Sequence, residues 1–250
     1  MALLWHKQEG ATRYEVRSAG NSRRLYTNGV FHSQYNPRQP VTGSIWDLLM
    51  LPAFFRPQAV RRVLLLGVGG GAVIRQLNHF LAPQAIVGVE LNPVHLRVAR
   101  RWFGVAAPNV TLHQADALQW VESYRGEPFD LIVDDLFGHR DGEPERAVAA
   151  DGRWFRRLDR LLSPEGLLVF NFGSPAELRA SGWFQDPRLQ HRYPAAFSLS
   201  ASQYENAVGA FLRLPATSAG LRRELAAFPA LDPARRSCRL NYRIRRLSPR

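Results

Sequence analysis

Residues 61–71, RRVLLLGVGGG, form an apolar run that ends in a cluster of glycines. The run has no polar alternation, so both of its faces call for burial, as in the central strand of a parallel sheet. The glycines then permit a tight turn into a following helix. Four later segments repeat the theme: residues 85–90 (AIVGVE), 109–116 (NVTLHQAD), 129–135 (FDLIVDD) and 166–172 (GLLVFNF) read as strands. Helices are predicted over 72–81, 93–104, 117–124 and 147–162. Asn92 caps the second of these, with Pro93 in its first turn and Gly104 near its end. Strand and helix in alternation predict an α/β fold with a doubly wound, mostly parallel, Rossmann-like sheet.

The residues ahead of this region have another rhythm. Residues 13–35 read as short strands joined by turns at Gly20-Asn21 and Asn28-Gly29, the latter a strong hairpin dipeptide. Asn36, Pro37, Pro40 and Gly43 then break regular structure, and residues 44–55 (SIWDLLMLPAFF) read as a short buried helix. The expected organisation is a small β-rich unit over 1–55 and the Rossmann-like domain over 56–250. At the C-terminal end, residues 201–214 read as one or two strands and 218–228 as a helix.

Composition narrows the class. Hydrophobic residues make up 46% and charged residues 22%, which excludes a disordered or fibrous chain. No apolar run approaches the ~18 residues of a membrane span, and the opening MALLWHKQEG is too short in apolar residues for a secretory signal. Cys238 is the single cysteine, so an intrachain disulfide and a Cys-based zinc site are excluded. The expectation is a cytoplasmic protein with no bound metal and no membrane partner. The net charge is +12, with Lys7 the only lysine, and residues 221–250 carry nine arginines against Glu224 and Asp232. No nucleic-acid-binding motif accompanies them, so they read as a solvated tail rather than a nucleic-acid patch.

Ligands of doubly wound sheets lie at the carboxyl ends of the strands. There the chain offers Gly67-Val68-Gly69-Gly70-Gly71-Ala72, Glu90, Asp116 and the pair Asp134-Asp135. The glycine loop fits the dinucleotide pattern with an acid about 20 residues on. It fits the loop of S-adenosylmethionine (SAM) enzymes equally well, and also a strand-to-helix turn with no ligand. Glu90 can accept hydrogen bonds from both hydroxyls of a ribose, and Asp116 from an adenine amino group. A dinucleotide domain has no need of acids after the third and fourth strands, whereas an adenosyl donor uses all of these positions.

Residues 22–137 resemble the spermidine synthase-like (polyamine aminopropyltransferase-like) group within the class I SAM-dependent methyltransferase fold. The matching stretches are RRLYTNGVFHS (23–33), VLLLGVGGGAVIRQL (63–77), VGVELNPVHLRVARRWFG (87–104), VTLHQADALQWV (110–121) and FDLIVDDLFG (129–138). The resemblance implies donor contacts at Gly67, Gly69, Gly71, Glu90, Asp116 and Ala117, with Asp135 facing the reacting centre. It also implies SAM or decarboxylated SAM as the donor. Relatives of this kind commonly dimerise, so a homodimer is a further expectation.

The chain departs from the aminopropyltransferases at named positions. Gly70 stands where their loop has an aspartate, and Gly138 where the second aspartate of their D-S-S/T-D-P stretch falls. His32 replaces a glutamine, and Ser44-Ile45-Trp46 align with a Tyr-x-Glu. Two aspartates about the ammonium of decarboxylated SAM would hold that cation and help deprotonate an attacking amine. A glycine loop with free N–H groups at a helix N-terminus suits the carboxylate of ordinary SAM. The expectation is therefore methyl transfer from SAM to a small-molecule acceptor. Aminopropyl transfer, a nonenzymatic SAM-fold binding protein and an NAD(P)-binding protein are the alternatives.

Asp135, His32 and His139 are the candidate bases. Asp134 and Asp135 are consecutive at a strand end and so point to opposite faces, one of them toward the cleft. Tyr35 and Trp46 read as packing residues. The stretch 134–145 (DDLFGHRDGEPE) has five acids against Arg140 and suits either a cationic acceptor such as an amine or a surface loop leading into a helix.

Overall fold

The computed structural model describes residues 1–140 and 143–249, with only the backbone at 139, 140, 143 and 144. Four antiparallel strands come first: β1 (Ala2–Glu9), β2 (Thr12–Ala19), β3 (Ser22–Thr27) and β4 (Val30–Tyr35). The expected turns are present, with Asn28 and Gly29 both at positive φ. Strand β1 was not read from the sequence, because ALLWHKQE lies on the sheet's edge and buries almost nothing that would impose alternation. The expected buried helix is α1 (Ile45–Met50), continued as a 3-10 turn over Leu51–Phe55.

The doubly wound part follows as β5 (Arg62–Leu66), α2 (Ala72–Phe80), β6 (Ala85–Glu90), α3 (Pro93–Trp102), β7 (Val110–Gln114), α4 (Ala117–Ser123) and β8 (Phe129–Asp134). These elements agree with the expected ones to within a residue or two. Asn92 caps α3 by accepting from the Val94 and His95 amides. Strands β7, β6, β5 and β8 and the later β11 (Leu162–Phe172) run parallel in that spatial order. The chain thus leaves β5 toward β7 and returns to β8 at its other side, which puts the topological switch point between the ends of β5 and β8.

The region between β8 and β11 corrects the sequence reading. Two short antiparallel strands, β9 (Phe137–Arg140) and β10 (Glu143–Arg146), pair where a surface loop was one of the readings. The helix expected over 147–162 is confined to α5 (Gly152–Asp159), because Asp151 caps it through the Trp154 amide and β11 already begins at Leu162. Short helices α6 (Pro175–Arg179), α7 (Gly182–Gln185) and α8 (Pro187–Arg192) lead into β12 (Ala195–Ser200). Strands β12 and β13 (Ala207–Leu212) are antiparallel partners, and β13 pairs with β11. Helix α9 (Ser218–Ala226) follows, and β14 (Arg243–Arg246) ends the sheet against β12. Among the described residues no helix is long and apolar enough to cross a membrane.

Two hydrophobic cores lie on the sheet's two faces. One joins Val63, Leu65, Val133 and Val169 to α1, α2 and α3, and the other joins Leu64, Ile132, Phe170 and Phe172 to α5 and α7. The N-terminal sheet packs on the first of these through Tyr14, Val16 and Leu25, and Arg23 donates to the Trp102 carbonyl of α3 at 2.7 Å. This brings β2, β3 and β4 over the carboxyl ends of the parallel strands.

Candidate functional site

A cleft of about 750 Å³ opens where the N-terminal sheet meets those strand ends. Gly67, Gly69, Glu90, Asp116, Ala117 and Asp135 line it, with His32 on the opposite wall. The strand ends supply one acid each: Glu90 closes β6, Asp116 follows β7 and Asp135 follows β8.

The glycine loop is explained by the protein's own packing. Gly67 has φ +83°, and a Cβ there would stand 2.2 Å from the Asp135 carbonyl oxygen; at Gly69 it would stand 2.9 Å from that of His32. Both glycines therefore let the loop close tightly on the backbone at Asp135 and His32. Gly71 is not brought to the cleft: it precedes α2 and faces Val105. Gly70 lies outside the lining as well, against Ser33 and Phe103. A side chain at 70 would enter the core behind the loop, so the aspartate missing there says nothing about the ligand in this backbone.

Glu90 organises the loop. Its Oε2 accepts from the Val68 and Gly69 amides, both at 2.9 Å, and its Oε1 from the Asn92 amide at 2.9 Å. Burial pushes its carboxyl above the usual range, and these N–H donors oppose that rise. Two of the loop amides expected to be free for a ligand carboxylate, those of Val68 and Gly69, are thus taken by a side chain. Beside Glu90, Leu91 is 67% exposed at the cleft rim, an apolar surface open to a flat ring. Asp116 caps α4 by accepting from the Gln119 amide at 3.0 Å and remains partly exposed.

The two aspartates after β8 do separate to opposite faces. Asp134 is fully buried, accepts from Arg146 Nη2 at 3.1 and 3.2 Å, and takes the Trp154 indole N–H at 2.6 Å. Asp135 lies in the cleft and accepts from Asn171 Nδ2 at 2.8 Å. Burial pushes its pKa up to about 6, against the Asn171 hydrogen bond. This is a carboxyl poised to exchange a proton near neutral pH.

His32 meets a second histidine that the sequence reading missed. The His32 and His95 rings are 4.8 Å apart, His95 Nε2 is 2.8 Å from Thr27 Oγ1, and His95 Nδ1 is 3.9 Å from Glu90 Oε1. Trp46 packs edge-on against Phe31, and both line the cleft; Tyr35 lies under the Arg75 guanidinium and does not. The His139 side chain and the acids at 141 and 143 lie outside the described residues. Asn171, Tyr204 and Asn206 also line the cleft and were not singled out from the sequence. A polar residue near the end of the apolar strand GLLVFNF was a usable signal for Asn171. Tyr204 and Asn206 come from the irregular connection before β13, which carries no local signal.

Comparison with known proteins agrees with this fold. A family model described as a methyltransferase domain matches residues 63–166. A polyamine aminopropyltransferase from Ralstonia nicotianae is 28% identical over 180 residues, which is 67% of this chain and 33% of that protein. Another, from Caldanaerobacter subterraneus subsp. tengcongensis, is 26% identical over 126 residues, 49% of this chain and 42% of the relative. The chain thus spans less than half the length of these curated relatives. Among solved structures, a probable spermidine synthase from Corynebacterium glutamicum superposes with a TM-score of 0.72 at 21% identity, covering 90% of this chain and 87% of that one.

Proposed function

We propose that this chain, a spermidine synthase-like protein of the class I SAM-dependent methyltransferase fold, is a transferase that moves an aminopropyl group from decarboxylated SAM to an amine. The curated relatives, which are polyamine aminopropyltransferases, support this over the methyl transfer expected from the glycines at 70 and 138. The observation that carries the reading is the charge of the cleft. Its described lining holds Glu90, Asp116 and Asp135 and no lysine or arginine. With the Val68 and Gly69 amides occupied by Glu90, a donor carboxylate has no evident partner there, whereas a donor ammonium meets acids.

The residues fit an adenosyl donor: the cleft is large enough, an apolar rim stands at Leu91, and acids mark three successive strand ends. Glu90 and Asp116 would hold the nucleoside, and Asp135 would lie by the reacting carbon. The donor supplies that carbon on a sulfonium: the acceptor nitrogen bonds to it, the C–S bond breaks with its electron pair going to sulfur, and the nitrogen sheds a proton. Asp135 takes that proton, and the walls from β4 and α1 exclude water and hold the two reactants together. A second reading, methyl transfer from SAM, is favoured by Gly138, which lines the cleft where the aminopropyltransferases carry a second aspartate.

Calorimetric titration separates the two. Decarboxylated SAM is expected to bind about ten-fold or more tightly than SAM, on the scale of one charge-assisted contact. Tighter binding of SAM, with methyl label appearing on an acceptor, would establish the second reading in its place. Glu90→Ala is expected to weaken methylthioadenosine, which lacks the donor tail, by about 1–3 kcal/mol. An unchanged affinity would remove Glu90 from the nucleoside site.

A further inference from the structure

We infer that Asn206 and Asn171 form a directional relay that holds Asp135 as a hydrogen-bond acceptor, and hence as a base, inside the cleft. The inference rests on the transferase reading above, in which Asp135 accepts a proton. Asn171 is 4% exposed, its Nδ2 donates to Asp135 Oδ1 at 2.8 Å, and its Oδ1 accepts from Asn206 Nδ2 at 3.1 Å. A side-chain amide has one donating and one accepting end. With the Asn206 N–H at the accepting end, the donating end faces Asp135. The opposite orientation would set a carbonyl oxygen against Asp135, which only a protonated carboxyl could satisfy. The Asn171 main chain is fixed too, since its carbonyl accepts from Arg146 Nη1 at 2.5 Å. Both asparagines are thus positioning residues that act through Asp135.

The relay works against the rest of the site. Burial, Asp134 on the same strand and Glu90 at the end of β6 disfavour a charged Asp135, while Arg146 on β10 favours it. His32 from β4 and His95 from α3 line the same cleft. Asn171 meets the Asp135 carboxylate with a direct hydrogen bond at 2.8 Å.

The test is made on the full chain by two measurements: the pH dependence of transfer, and NMR titration of the Asp135 carboxyl, assigned with Asp135→Asn. Asn171→Leu removes the donor and is expected to move both midpoints up by about one pH unit or more. Asn206→Asp presents only acceptors to Asn171 and so turns its amide round. It is expected to raise both midpoints as well, and to keep the rise in about 1 M salt, where the added charge alone is screened. Asn206→Leu alters the same position without reversing the amide and is expected to shift them less. Unchanged midpoints in folded Asn206→Asp, or equal shifts in Asn206→Asp and Asn206→Leu, would overturn the relay. If Asn171→Leu does not fold, the two Asn206 variants decide. If the wild type shows no transfer at any pH, the transferase reading fails, and the NMR titration still decides the relay.

Discussion

Asp135→Asn is expected to lose transfer by about 10²–10⁴-fold, the range for removal of a positioned general base, while methylthioadenosine binding stays near that of the wild type. The substitution is close in shape, and the asparagine Oδ1 can still accept from Asn171 Nδ2, so the floor of the cleft keeps its geometry. The wild-type rate is expected to fall as pH drops through about 6, where the carboxyl gains its proton. Stability runs the other way. A carboxyl whose pKa is raised from 3.8 to about 6 holds its proton more firmly in the folded protein. Its favourable contribution is present at pH below the unfolded value and is lost as pH rises through about 6. The asparagine variant never ionises, so it should match the wild type in denaturant near the low end of this window and exceed it at pH 8. A variant that kept its transfer rate would remove Asp135 from the chemistry. A variant that lost transfer but gained no stability at pH 8 would show that Asp135 is not held against its ionisation.

That one carboxyl combines what the sequence made legible and what it did not. The strand ends were legible because an apolar run stopped by glycine or an acid has few other uses, which located Gly67, Glu90, Asp116 and Asp135. The two-residue period of a strand gave the division of labour between Asp134 and Asp135. The partners that give Asp135 its character come from far along the chain, at Asn171 and Asn206, and a contact of that separation leaves no local pattern. His95 was hidden for another reason. Its segment reads as an amphipathic helix, and nothing in that periodicity says that the first turn of α3, with Asn92 and His95, borders the cleft. The glycine loop was legible as a turn at the cleft, where Gly67 and Gly69 do lie, but its packing was not: Gly67, Gly69 and Gly71 each close on the protein itself, and Glu90 takes two of the amides.

The second large effect concerns Arg146, and it is one of stability. Arg146→Ala is expected to cost about 3–5 kcal/mol, the range for breaking a buried ion pair by removing one partner. The Arg146 side chain is 3% exposed and the Asp134 side chain 0%, so water cannot replace the lost guanidinium. Arg146 also donates to the Val148 and Asn171 carbonyls and stacks near Phe170 and Phe172, so the alanine leaves two acceptors without that donor and a void between rings. Asp134 would keep the Trp154 indole N–H and the Leu136 amide, both neutral donors, with no cation against its charge. The charge component separates from the packing component by a second substitution. Arg146→Met with Asp134→Asn refills the volume and removes the stranded carboxylate, so the double variant should recover much of the loss. Urea denaturation of the two single variants and the double gives the coupling directly. Additive losses would mean that the pair contributes nothing beyond its packing. A strong coupling would make Arg146 the tie between β10 and the end of β8, next to Asp135, and transfer by the folded single variant should then fall with it.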